Sequence, residues 1–173
     1  MTRKKIFGFT AVVAFMAVTV YYFYPEPELP AGTEIDKLVV LKSERKILAY
    51  SDGKLMKTYT IALGRTPVGD KEYEGDKKTP EGRYYINDKN PNSAYHKNLG
   101  VSYPNEDDIR HARSLGKSPG GDIKIHGLRN GTGFISKFHR WWDWTLGCLA
   151  LTDNEMDELY SAVPVGTPIE IRQ

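Results

Sequence analysis

One thiol and one imidazole, two groups that do chemistry together, stand 22 positions apart in the last third of the chain. Cys148 is the single cysteine and follows glycine in Thr145-Leu146-Gly147-Cys148-Leu149, while His126 lies in Asp122-Ile123-Lys124-Ile125-His126-Gly127. A thiolate is a strong nucleophile, and a nearby imidazole can generate it. Glycine before the cysteine permits a tight bend at which the sulfur is presented and amide N–H groups face a developing oxyanion. Alternation puts Ile123 and Ile125 on one face of a strand and Lys124 and His126 on the other. With the isoleucines toward a core, the histidine projects from the open face, and Gly127 lets the backbone turn or approach a ligand closely. Each residue taken alone also fits a plainer role, Cys148 as a small buried hydrophobe and His126 as a polar residue at a strand end. A single cysteine excludes an internal disulfide framework and a cysteine-rich zinc site.

The compartment bears on that choice, because an unpaired thiol in an exported protein is unusual. Residues 6–24 form a 19-residue run without a charge, and 16 of them are apolar or aromatic. A bilayer core of about 30 Å needs around 20 such residues in a helix. Arg3, Lys4 and Lys5 precede the run and Glu26 and Glu28 follow it, an order that keeps the N-terminus cytoplasmic and exports the rest. The run ends in Tyr21-Tyr22-Phe23-Tyr24 rather than in small residues, so it reads as a single-pass anchor in preference to a cleaved signal peptide. The expectation is thus a transmembrane segment at 1–24 and a proline-stiffened linker at 25–32. A catalytic domain at 33–173 would then lie on the outer, periplasmic or extracytoplasmic, side of the cytoplasmic membrane.

The elements that must position the two groups read as mainly β. Residues 37–42 and 46–50 are short apolar strands, Asp52-Gly53 signals a two-residue hairpin, and residues 54–63 alternate by two. Residues 64–80 read as loop, 83–87 and 99–103 as strands, and 168–172 as the closing strand. Asn105 followed by Glu106, Asp107 and Asp108 caps a short helix that stops at Gly116. Thr152 and Glu155 form a capping box for a helix over 153–163, with Met156, Leu159, Tyr160 and Val163 as its apolar stripe.

With these segments in view, the sequence resembles the L,D-transpeptidase catalytic domain family. His126-Gly127 followed by Thr145-Leu146-Gly147-Cys148 is similar to the family's His-Gly and Ser/Thr-x-Gly-Cys motif. Lys78-Thr79-Pro80-Glu81-Gly82 and Leu99-Gly100-Val101-Ser102-Tyr103-Pro104 resemble two further family segments, and the likeness runs over residues 38–171. It implies an L,D-transpeptidase-like β-sandwich with a few short helices that acts on peptidoglycan stem peptides without metal or cofactor. Cys148 would attack the carbonyl at the L-centre of the third stem residue, D-Ala would leave, and a thioester would remain. His126 would take the thiol proton and assist the later transfers, Thr145 would fix the loop or the imidazole by hydrogen bonding, and backbone amides near Gly147 and Cys148 would hold the oxyanion. An amine acceptor then gives transpeptidation, whereas water gives an L,D-carboxypeptidase or endopeptidase. The chain departs from the pattern at Leu146, where many members carry histidine, and at Ala150, where many carry arginine or asparagine.

Between the two motifs lies an aromatic stretch with Phe134, Phe138, Trp141, Trp142 and Trp144 among charged residues. It reads either as a wall over the stem peptide or as a local cluster packed on the sheet. Arg140, Trp142, Tyr103 and Gly127 are the candidate substrate contacts, with Arg140 suited to a carboxylate. His139 reads as structural or as a surface residue, His96 as an exposed loop residue or one bordering the cleft, and His111 as solvated. From residue 25 onward 21 basic residues face 22 acidic ones, a balance without the basic stripe that a nucleic-acid partner requires.

Overall fold

The computed structural model describes the backbone of residues 3–173 and side chains from residue 9 onward. Eight strands are present: β1 Lys37–Leu41, β2 Lys46–Ser51, β3 Lys54–Thr60, β4 Gly82–Ser93, β5 His96–Val101, β6 Lys124–His126, β7 Leu149–Ala150 and β8 Pro168–Arg172. Three α-helices join them: α1 Arg3–Phe23, α2 Glu106–Ser114 and α3 Asp153–Ala162. The Asp52-Gly53 turn has positive φ at both residues (49° and 73°), the geometry that matches the right-handed twist of a two-residue hairpin. The capping box of α3 forms as the sequence predicts, with Thr152 accepting from the Glu155 N–H and Glu155 from the Thr152 N–H. On α2, Asn105 accepts from the amides of Asp107 and Asp108.

The strands make one sheet in the order β3-β2-β1-β8-β4-β5-β6-β7. The closing strand β8 enters its middle, parallel to β1 and antiparallel to β4. The 12-residue β4 belongs to both halves: Gly82 to Tyr85 pair with β8, and Ile86 to Ser93 pair with β5 across two register shifts. Those irregularities bend the strand and curl the sheet. The curl brings Ala62, just beyond β3, against Ala150 of β7, and each donates its N–H to the other's carbonyl at 3.1 and 2.9 Å. The architecture is therefore one sheet curled until its ends meet, where a sandwich of two sheets was expected. Its interior holds Leu38, Ile47, Tyr59, Ile86, Leu99, Ile125, Leu149 and Leu159, all fully buried.

A second correction concerns the N-terminus. A helix does form over Arg3–Phe23, but among the described residues no helix is long and apolar enough to cross a membrane. The side chains of Arg3, Lys4 and Lys5, and of the first residues of the expected span, lie outside those described. At its other end α1 rests on protein. Tyr21 packs on Phe138 and Trp141, Tyr22 packs on Phe138, and the hydroxyl of Tyr22 donates to the Phe134 carbonyl at 2.7 Å. Tyr21 and Tyr22 therefore have a protein surface as their partner, where the end of a membrane anchor was expected.

The loop over residues 64–80, which backs the segment carrying Thr145 and Gly147, is held by a buried cation. Lys42 is fully buried, and its Nζ donates to the carbonyls of Gly69 and Thr79 and to Glu81 Oε1 at 2.6, 2.9 and 2.8 Å. A buried charge is tolerated only with such a set of partners. Lys42→Met keeps the stem and removes all three donors. It should lower the unfolding free energy by about 3 kcal/mol in urea titrations, because it strands Glu81 and two carbonyls.

Candidate active site

Strands β6 and β7 are parallel neighbours, with Ile125 opposite Leu149 and His126 opposite Ala150. Cys148 immediately precedes β7, so the pairing that seats Leu149 in the core carries the thiol to the face that displays Lys124 and His126. Ile123 and Ile125 point the other way into the core. His126, Cys148 and Thr145 line one cleft of about 710 Å³, and Tyr95, Asn98 and Trp144 complete its walls.

The turn that presents Cys148 is stapled by Thr145. Its hydroxyl donates to the Cys148 carbonyl at 2.7 Å and accepts the Gly147 N–H at 3.1 Å. The backbone of Thr145 is bonded in turn to the Leu63 carbonyl and the Arg65 N–H. At Gly147 φ is +134°, and a Cβ there would lie 2.7 Å from the Lys78 carbonyl oxygen, so only glycine fits. The Gly147 amide is engaged by Thr145, which corrects the expectation that it faces an oxyanion. Thr145→Val removes both bonds at nearly constant volume. It should lower kcat/KM about tenfold or more, equivalent to about 1.4 kcal/mol, with Thr145→Ser restoring most of the loss.

The imidazole of His126 is oriented by its own neighbour. Its Nδ1 lies 2.7 Å from the Gly127 carbonyl, which can only accept, so Nδ1 carries the proton and Nε2 keeps the lone pair of a base. Burial pushes the His126 pKa below its ordinary value and the Cys148 thiol above its own. For the thiol, the Lys124 backbone N–H acts in the opposite direction. At rest both groups are neutral, and the thiol donates to the Asp122 carbonyl at 3.6 Å. Tyr95 lies 4.8 Å from the His126 ring and Trp144 5.7 Å from it, between centroids, closing the ring in from two sides.

Other expected contacts fall elsewhere. Arg140 is not open to a substrate carboxylate, since its terminal nitrogens are bonded to Glu26 at 2.8 Å and Glu155 at 2.7 Å. Tyr103 is buried in the core and donates to the Pro119 carbonyl. Trp142 lines a separate cavity with His139, on a 3₁₀ segment over Gly133–Trp141 and its C-cap. Gly127 sits against Asp153 and His96, where a Cβ would meet Asp153 Oδ1 at 2.7 Å, so it serves packing more than ligand approach. His96 bonds Asp157 at 2.7 Å. Tyr95 and Asn98, with Arg65, Asn90, Asn92 and Ser93, are among the cleft residues that the sequence reading did not single out. All but Arg65 arrive because β4 and β5 form a longer hairpin than expected, and the polar run Asp88-Lys89-Asn90-Pro91-Asn92 hides that extension. Among the described residues no three His, Cys, Asp or Glu side chains converge as metal ligands would.

The model of the YkuD family, the L,D-transpeptidase catalytic domain, matches residues 36–171. The chain belongs to this family. Similar proteins include YafK of Escherichia coli strain K12, provisionally named an L,D-transpeptidase, at 28% identity over 72% of this chain and 45% of YafK. YqjB of Bacillus subtilis strain 168, provisionally named likewise, is 26% identical over 91% of this chain and 81% of its own length. Among solved structures, the helical cell shape determining protein Pgp2 of Campylobacter jejuni superposes with a TM-score of 0.61 at 27% identity. That match covers 82% of this chain and 49% of Pgp2, so the chain spans about half the length of YafK and of Pgp2.

Burial also holds His139 neutral, and with Arg140 beside it the pKa is pushed down to about 3. A folded-state value below the unfolded one means that the unfolded chain binds more protons once the pH falls under the ordinary imidazole value of about 6.5. Stability contributed by the two neutral imidazoles is therefore complete above that pH and is lost as the pH falls through it. Each histidine adds a slope of up to about 1.4 kcal/mol per pH unit. Chemical denaturation between pH 7 and pH 5 should show this decline, and His139→Gln should flatten it by close to one proton.

Proposed function

We propose that the chain is a cysteine L,D-transpeptidase acting on peptidoglycan stem peptides. The observation that carries this reading is the parallel β6–β7 pair, which sets a neutral His126 and the thiol of Cys148 on one face of a single cleft. His126 Nε2 takes the thiol proton as Sγ bonds to the carbonyl carbon at the L-centre of the third stem residue. The negative charge moves to the carbonyl oxygen, where the backbone N–H of Cys148 is the donor we assign to it in place of the Gly147 amide. Collapse of this adduct breaks the C–N bond, and the departing D-Ala amine takes the proton from the imidazolium. A thioester on Cys148 remains. An acceptor amine then attacks the thioester, passes its proton to His126, and releases the sulfur as the thiol.

The substrate class supports a place for the domain outside the cytoplasmic membrane. The likeness to a protein described as determining helical cell shape supports a role in remodelling the wall.

The test incubates the full chain, wild type beside Cys148→Ala, with a disaccharide-tetrapeptide and reads the products by mass spectrometry. Loss of D-Ala that needs Cys148, together with crosslinked dimers, is the expected result. Tripeptide monomers alone would make water the acceptor and the enzyme a carboxypeptidase. An untouched tetrapeptide with both proteins would overturn the donor assigned here.

A further inference from the structure

Three ionic side chains, Arg65, Asp122 and Lys124, line the cleft that holds His126 and Cys148. Lys124 Nζ lies 2.7 Å from Asp122 Oδ1, so those two answer each other. His126 adds no charge, because burial keeps its imidazole neutral. Arg65 is exposed and has no carboxylate partner among the described residues. Asp143, next to Trp144 in the chain, is already taken: Arg45 pairs with it at 2.9 Å, and the Leu63 N–H donates to its other oxygen at 2.9 Å. The cleft therefore carries one cation more than it carries carboxylates.

That cation is placed by the turn that presents the thiol. The Arg65 backbone N–H donates to the Thr145 carbonyl at 3.0 Å, and Arg65 Nε donates to the Trp144 carbonyl at 3.1 Å. Both acceptors lie on the segment that runs into Cys148. With Nε engaged, the two terminal nitrogens keep their fork of N–H groups, and neither has a hydrogen-bond partner among the described residues. A guanidinium fork matches a carboxylate with two parallel bonds, and one already tethered at Nε has less freedom to lose on pairing. The opposite-charge partners that usually neutralise such a group are absent from the rest of the lining, where Asn90, Asn92, Ser93 and Asn98 are polar and uncharged.

We propose that Arg65 is the carboxylate anchor of this cleft, its terminal nitrogens holding a carboxylate of the donor stem peptide and so setting where the scissile carbonyl lies relative to Cys148. That role for Arg65 rests on the stem peptide being the donor, as proposed above. Two carboxylates border the scissile bond. One ends the departing D-Ala, and the other stands on the side chain of the third residue when that residue is a diamino diacid.

The test uses the full chain carrying Cys148→Ala, so that peptides bind without being consumed, with and without Arg65→Gln. Glutamine removes the charge and keeps an N–H donor for the Trp144 carbonyl. Three disaccharide-tetrapeptides with a diamino diacid at the third position are titrated by calorimetry: one with both carboxylates free, one ending in D-alaninamide, and one amidated on the third residue. Arg65→Gln should weaken binding of the free peptide about tenfold, and Arg65→Lys should recover only part of the loss. Amidating the recognised carboxylate should weaken binding by the same factor when Arg65 is present and cause no further loss in Arg65→Gln. The amide that behaves so identifies the source. Unchanged affinity for the free peptide in Arg65→Gln overturns the anchor and leaves the donor assignment standing. An equal loss with all three peptides makes Arg65 a brace for the turn and overturns the anchor as well. If no peptide binds even with Arg65 in place, the donor assignment falls and takes the anchor with it.

Discussion

The reciprocal pair of hydrogen bonds between Ala62 and Ala150 closes the curled sheet, and the site depends on that closure. Both alanines are buried. On one side of the contact, Leu63 and Arg65 hold the backbone of Thr145. On the other, the Leu151 N–H donates to the His126 carbonyl. Cys148 thus lies on the short stretch of chain between a closed seam and a parallel strand, with Lys78 filling the space behind Gly147. A thiol on such a stretch has little freedom to wander from the imidazole, the condition under which a weak acid and a weak base react efficiently.

Charge is managed around the site so that this pair stays neutral. Lys42 is enclosed by two carbonyls and Glu81, Lys71 is bonded to Asp76 at 2.7 Å, and Arg140 lies between Glu26 and Glu155. Each of these cations is answered by at least one carboxylate. Beside His126 stand the aromatic surfaces of Tyr95 and Trp144, and the Lys124–Asp122 ion pair shares its cleft. In this setting the ionised forms of the pair are disfavoured until a substrate supplies a place for the developing charge.

The parts of this arrangement that were legible in the sequence are those with local signatures. The Asp52-Gly53 turn, the Thr152–Glu155 box and the closing strand at residues 168–172 each depend on residues a few positions apart, and each forms where the pattern predicts. The alternation in Ile123-Lys124-Ile125-His126 likewise sorted core from cleft. What was not legible depends on partners far along the chain. Nothing in Arg140 itself tells that Glu26, 114 positions away, takes one of its nitrogens. Alanine has no signature of a sheet seam. The extension of β4 through Asn90, Pro91 and Asn92 was hidden because hairpin pairing overrides the poor strand propensity of those residues.

The fastening of α1 to the 3₁₀ segment gives the N-terminal region a mechanical meaning. Lys137 donates to the carbonyls of Tyr21 and Tyr24 and pairs with Glu26, while Arg140 links Glu26 to Glu155 at the head of α3. Helix α1, the aromatic segment and α3 therefore share one load path, and Glu26 is the joint at which it crosses from the linker into the domain. Shortening the chain ahead of residue 33 would remove that joint and uncover Phe138. The kinetics of such a fragment would then describe a differently braced wall beside Trp144, even with every catalytic atom still present.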